Sequence, residues 1–187
     1  MSDAAEPADA PSPLLLEHLD AIRRAARSGP VVDLACGRGR HARALAERGI
    51  ATVGIDRDAA ALRALQGRAR TARLRIDVAR ADLESARFLP VAPASCGALL
   101  VFRYLHRPLA PLLCEILRPA GLLLYETFTI HQRKLGYGPV NPAFLLEPGE
   151  LPTLFPGLEV LSFWEGIAEG ARPAAVARLA ARRPEGR

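Results

Sequence analysis

Lysine is almost missing from this 187-residue chain: Lys134 is the only one among 25 basic side chains, and the net charge of +5 therefore rests on arginine. Arg63, Arg68, Arg70, Arg73 and Arg75 crowd one region, but aromatics make up only 5% of the chain and none interleaves with them to stack bases. That absence argues against a nucleic-acid face and for a solvated, arginine-biased surface. Cysteines are few. Cys36, Cys96 and Cys114 lie far apart without metal-ligand spacing, which excludes a metal cluster built on them and reads as reduced thiols in a cytoplasmic protein. No apolar run approaches the roughly 20 residues of a membrane span. Met1 to Pro11 is acidic and rich in Ala and Pro, with no basic stretch of the kind that opens a signal peptide, and is expected to be a short disordered tail. No internal repeat is visible.

What is present suits one globular domain, residues 12–187, with half of its residues hydrophobic and enough length for a full core. Val31-Val32-Asp33-Leu34-Ala35 reads as a buried strand interrupted by one acid. It breaks on Cys36-Gly37-Arg38-Gly39, and a helix is expected from about His41 to Arg48. Two glycines between strand and helix let the backbone approach a ligand closely, and the helix start offers unpaired N–H groups. Gly37-Arg38-Gly39-Arg40-His41-Ala42 fits the dinucleotide pattern G-x-G-x-x-G/A, so a nicotinamide or flavin enzyme is one reading. Asp33 favours another. A carboxylate under the loop does nothing for a pyrophosphate, whereas a cofactor carrying an ammonium group has use for it.

Asp33-Leu34-Ala35-Cys36-Gly37-Arg38-Gly39 resembles motif I of the class I S-adenosylmethionine-dependent methyltransferases. The resemblance implies that Asp33 serves the amino group of the methionine moiety. It also implies that Ala35, Cys36, Gly37, Gly39 and Arg40 wrap the ligand. Ala51-Thr52-Val53-Gly54-Ile55-Asp56 reads as the second strand of a right-handed βαβ unit, which brings Asp56 to the same sheet edge. A carboxylate there can accept both ribose hydroxyls, in NAD and S-adenosylmethionine alike. Arg57 beside it suits a ribose 2′-phosphate and keeps an NADP-dependent oxidoreductase in view. Asp58 to Arg70 is expected to be helical, and Ala72 to Val78 a third strand running on towards Ala81-Asp82-Leu83. By resemblance, Asp82 receives the adenine amino group and the N–H of Leu83 meets the ring nitrogen, with Asp77 as the rival acid.

Ahead of motif I, Ser12-Pro13 caps an expected helix from Leu14 to Arg27, with Leu15, Leu16, Leu19, Ile22 and Ala26 on its packed side. Downstream, Gly97 to Phe102 reads as the fourth strand and runs into Arg103-Tyr104-Leu105-His106-Arg107-Pro108. A helix over Leu109 to Leu117 and a strand over Leu122 to Phe128 follow, joined by Arg118-Pro119-Ala120-Gly121, a turn that resembles the family's own. Ile130 to Pro148 is a lid-like irregular insertion, and Leu151 to Phe155 a short helix. Leu158 to Trp164 and Ala174 to Ala180 then read as two strands joined by a loop with Gly166 and Gly170. With no helix between them they should pair antiparallel. The fold implied is α/β: a three-layer Rossmann-like methyltransferase domain with a seven-stranded, mostly parallel sheet of order 3-2-1-4-5-7-6 ending in an antiparallel hairpin.

The segments around Phe102 to Leu109, Tyr125 to Phe128 and Asn141 to Leu151 resemble small bacterial proteins of the TehB (tellurite-resistance) type. That resemblance implies a small-molecule acceptor such as a thiol or chalcogen species. The Asn/Asp-Pro-Pro-Tyr run of amino-methylating nucleic-acid enzymes is missing after the fourth strand, which favours a small molecule over nucleic acid. Methyl transfer by in-line displacement needs alignment and exclusion of water. If the acceptor needs a base, His106 is the first candidate and Tyr104 the second. Phe102 and Arg103 border the cofactor, Arg103 suits its carboxylate or an anionic substrate, and Glu126 suits a cationic one. A non-catalytic S-adenosylmethionine-binding module is the remaining alternative.

Overall fold

A computed structural model describes residues 10–85, 89–169 and 172–185. The expected tail, Met1 to Pro11, lies outside them except for its last two residues. Helices α1 (Pro13–Glu17) and α2 (Leu19–Ala25) lead into β1 (Val31–Leu34), α3 (Arg40–Ala46), β2 (Thr52–Asp56), α4 (Ala59–Thr71) and β3 (Ile76–Arg80). Then come β4 (Cys96–Phe102), α5 (Ala110–Ile116), β5 (Leu117–Phe128), α6 (Glu150–Thr153), β6 (Glu159–Ala168) and β7 (Ala174–Arg182). The seven strands form one sheet of order β3-β2-β1-β4-β5-β7-β6. Strands β1 to β5 pair parallel, and β7 runs antiparallel to both β5 and β6.

Side-chain alternation along the central strands builds two cores. Leu99 and Val101 of β4 join Val32, Leu34, Leu123 and Tyr125 on one face, under α5 and α6. Ala98, Leu100 and Phe102 join Val31, Leu122 and Leu124 on the other, under α1, α2 and Leu45 of α3. A sheet covered on both faces explains why these strands read as unbroken apolar runs. Among the described residues no helix is long and apolar enough to cross a membrane.

Several boundaries differ from the sequence expectation. The first helix is two pieces that meet at His18 (φ −105°, ψ 14°). Within α1, Leu14 and Leu15 are buried, whereas Leu16, expected on the packed side, lies 41% exposed. Strand β3 begins at Ile76 rather than Ala72, because Ala72 to Leu74 bond back onto the end of α4 and Arg73 adopts a left-handed φ. Strand β5 begins at Leu117: the Arg-Pro-Ala-Gly segment is a bulge against β4, with Ala120 at a left-handed φ of +62°, and it bonds to Arg183. Gly166 belongs to β6, not to the connecting loop. The lid-like segment carries 3-10 helix at Ile130–Leu135 and a single 3-10 turn at Pro142–Phe144. The side chain of Gln132, wholly buried, accepts from Ala175 N and donates to Tyr137 O at 2.9 Å each. Arg107 forks onto Glu150 (Nη2–Oε2 2.8 Å) and reaches the carbonyls of Ala143 and Leu145. The insertion is therefore fastened at both ends.

Candidate cofactor site

Parallel pairing aligns the carboxyl ends of β1, β2, β3 and β4 along one sheet edge, where a doubly wound fold binds its ligand. Asp33 sits in β1 with about 1% of its surface exposed, and its Oδ2 accepts from Ala42 N at 3.1 Å in the first turn of α3. Burial raises its carboxyl to about 7; the Ala42 N–H and the Arg40 charge pull the other way, and Asp56 adds to the rise. Asp33 thus caps α3 through one oxygen, and burial holds its proton well above the usual carboxylate range. The strand leaves that position through Ala35, whose φ of +52° is a left-handed turn costing a non-glycine residue roughly 1–2 kcal/mol. Backbone strain of this kind gathers at ligand sites.

Gly37 (φ +53°) and Gly39 (φ +75°) complete the loop for different reasons. A Cβ on Gly37 would meet nothing within 4 Å, so the loop borders open space there. A Cβ on Gly39 would come within 2.4 Å of Leu65, so that glycine lets α3 pack on α4. Cys36 bridges to β2 through its N–H and Ile55 O, and burial pushes its thiol well up, which leaves it a neutral small side chain.

Asp56 closes β2. Its Oδ2 accepts from Gly37 N at 2.7 Å and its Oδ1 from Asp58 N at 2.8 Å, which pins the carboxylate between loop and strand. Together with Ala35, Asp82, Leu83, Glu84 and Tyr104 it surrounds a pocket, with Arg57 at the rim. Asp82 is exposed, and hydrogen bonds from Glu84 N and the Ser85 hydroxyl hold its carboxyl below the usual range. Leu83 is buried and forms the floor. Arg57 Nη1 lies 3.5 Å from Glu84 Oε2. Glu84 is a wall the sequence reading missed; its signal was an acid two residues after Asp82, on the same turn.

The other half of the edge is differently built. Arg103 follows β4 with a left-handed φ of +59°, donates its N–H to Glu126 O at 2.7 Å and lies 3.2 Å through Nε from Glu126 Oε1. Its guanidinium stacks 4.5 Å over Phe128. Glu126, 1% exposed, accepts from Arg178 Nε (2.8 Å) and Ser12 Oγ (2.6 Å) through its other oxygen. The expectation that Glu126 binds a cationic substrate is corrected here, because two arginines and a serine already occupy it. The Phe102 ring stacks on His41 at 3.7 Å between centroids, inside the core, so only its main chain stays at the edge. Burial, with the charges of Arg40 and Arg103, holds His41 down to about 3; its neutral Nε2 accepts from Ser12 N.

The two base candidates separate. The Tyr104 hydroxyl is buried in the pocket beside Asp82, not among the Arg103 group, and burial followed by Glu84 and Asp82 raises it to about 12. A phenol pushed that way keeps its proton near neutrality, which counts against Tyr104 as a general base in the ligand-free chain. His106 precedes the 3-10 turn Arg107–Leu109 and receives Leu109 N on its carbonyl; its ring makes no cap.

The residues fit S-adenosylmethionine. A buried carboxyl beneath an open glycine turn suits an ammonium, and an acid-ringed pocket holding one unpaired hydroxyl suits a ribose and a purine edge. Residues 31–121 match the model of a methyltransferase domain. Among curated proteins none matches the sequence. Among solved structures, an S-adenosylmethionine-dependent methyltransferase from Methanosarcina mazei is 16% identical, with a TM-score of 0.72 over 95% of this chain and 100% of that one. TehB from Haemophilus influenzae is 19% identical, with a TM-score of 0.68 over 88% of this chain and 61% of that one. A protein concerned with converting a disulfide bond into a thioacetal group in echinomycin biosynthesis is 19% identical, with a TM-score of 0.71 over 95% and 84%. Residues 31–121 thus match a methyltransferase domain, and the chain takes the Rossmann-like fold, with sheet order β3-β2-β1-β4-β5-β7-β6, of these solved structures.

Proposed function

We propose that residues 12–187 form a single domain that transfers the methyl group of S-adenosylmethionine to a small-molecule acceptor by in-line displacement. A thiol or chalcogen species heads the list of acceptors, as the resemblance of the segments around Phe102 to Leu109, Tyr125 to Phe128 and Asn141 to Leu151 to the TehB type implies. The observation that carries the reading is Asp33: a buried carboxyl, raised to about 7, beneath a glycine loop with open space at Gly37. When bound, the cofactor supplies an electrophilic methyl group on a sulfonium. Asp33 takes the ammonium, and the loop Ala35, Cys36, Gly37 and Gly39, continued by Arg40, encloses the amino-acid half. Asp56 holds the ribose hydroxyls, with Arg57 beside it; Asp82 and Leu83 take the adenine edge. Phe102 offers its main chain, and Arg103, whose side chain stays 30% exposed beside Glu126, borders the cofactor. His106 is the base where the acceptor needs one, and a soft thiolate needs little such help. The insertion fastened by Arg107 and Gln132 supports water exclusion over the sheet edge.

An NADP-dependent reading gains nothing from Arg57, because Glu84 at 3.5 Å puts a carboxylate where a 2′-phosphate would need cations alone. Calorimetry with S-adenosylmethionine and with NADPH tests the cofactor. A labelled-methyl assay against whole-cell metabolites tests the acceptor. Binding without transfer to any metabolite fraction would leave a non-catalytic module, and NADPH binding in place of S-adenosylmethionine would overturn the assignment.

A further inference from the structure

Among the described residues, the Tyr104 hydroxyl is the one fully buried side-chain oxygen or nitrogen without a hydrogen-bond partner. Leaving such a group unpaired costs roughly 1–3 kcal/mol, so its presence asks for a partner outside the chain. The ring alone packs partly against the core beside β4, and a phenylalanine would wall the pocket equally well. The oxygen is what a wall does not need. Around it stand Asp56, Asp82 and Glu84, all acceptors, with Asp56 already pinned by two backbone N–H groups and the cation at the rim, Arg57, held 3.5 Å from Glu84. A ligand matching that ring must offer donors to the carboxylates and at least one acceptor to the phenol. A purine nucleoside does both, through its ribose hydroxyls, exocyclic amine and ring nitrogens. An all-donor ligand such as a polyamine reaches only the phenol's lone pairs and leaves its O–H without an acceptor, and an anion meets the three carboxylates.

We infer that Tyr104 is a specificity residue for the nucleoside half of the cofactor, its hydroxyl donating a hydrogen bond to an acceptor atom there. The inference rests on the S-adenosylmethionine reading and adds a residue and a role to it. The substitution Tyr104→Phe keeps the ring and removes only the oxygen. Titration calorimetry of wild type and Tyr104→Phe with S-adenosylmethionine and with adenosine, together with apo thermal melts, tests it. The variant is expected to bind both ligands about three- to tenfold more weakly, in parallel, the worth of one hydrogen bond. Its apo melting temperature is expected to be unchanged or higher, since an unpaired buried group has gone. Equal affinities in wild type and variant would overturn the inference. Weakened S-adenosylmethionine with unchanged adenosine would also overturn it, by moving the hydroxyl to the methyl side. So would a lower apo melting temperature, which would mean a partner within the chain. A wild type that binds neither ligand would instead refute the cofactor reading itself.

Discussion

The two halves of the sheet edge contrast in how much of their polarity they satisfy alone. On the β1–β3 side, Asp33 is buried with its carboxyl raised to about 7 and Tyr104 holds an unpaired hydroxyl. On the β4–β5 side, Arg103, Arg178 and Ser12 converge on Glu126, and His41 stacks on Phe102. The first half keeps a cost that the proposed ligand would relieve; the second is a structural joint binding α1, β4, β5 and β7. Buried charge alone therefore does not mark a site, and it marks one where partners are missing.

Removing each half in turn should break the contrast in opposite directions. For Asp33 the sign follows from linkage. The folded carboxyl keeps its proton to about 7 and the unfolded one only to about 3.9, so apo stability falls as pH rises from about 4 to about 7 and is level above. Asp33→Asn should abolish that decline, worth at most about 4 kcal/mol, in urea melts taken across pH, while weakening S-adenosylmethionine binding. Glu126→Ala should do the reverse, destabilising by about 3 kcal/mol in the same melts because it strands two part-buried arginines. Arg107→Ala should cost about 1 kcal/mol, since the pair with Glu150 is partly exposed, and should speed amide exchange over residues 142–147. His106→Ala should leave stability within about 0.5 kcal/mol, its ring making no cap; unchanged turnover with the native acceptor would leave the base role empty.

The fold was legible because its signals are local. Apolar runs punctuated by Gly29-Pro30, Gly49 and Asp58 mark the βα units, and two strands without a helix between them dictate the closing hairpin. The positions of Asp33, Asp56 and Asp82 at one edge follow from that topology. What escaped reading depends on partners distant in sequence. Glu126 looks available until Arg103, Arg178 and Ser12 are seen around it. Tyr104 reads as a second base candidate, and only the fold shows its hydroxyl beside Asp82 and Glu84. The break at His18 has no glycine or proline to announce it, and neither does the left-handed Arg73 that delays β3.

Proton release on cofactor binding tests the central claim most directly. At pH 6 Asp33 holds its proton and the cofactor's amino group is an ammonium, so pairing them must expel the proton from the carboxyl. Calorimetry of S-adenosylmethionine binding in two buffers of different ionisation enthalpy should report close to one proton released by the wild type and none by Asp33→Asn. Heats that do not depend on the buffer, or a release that survives in Asp33→Asn, would contradict the account.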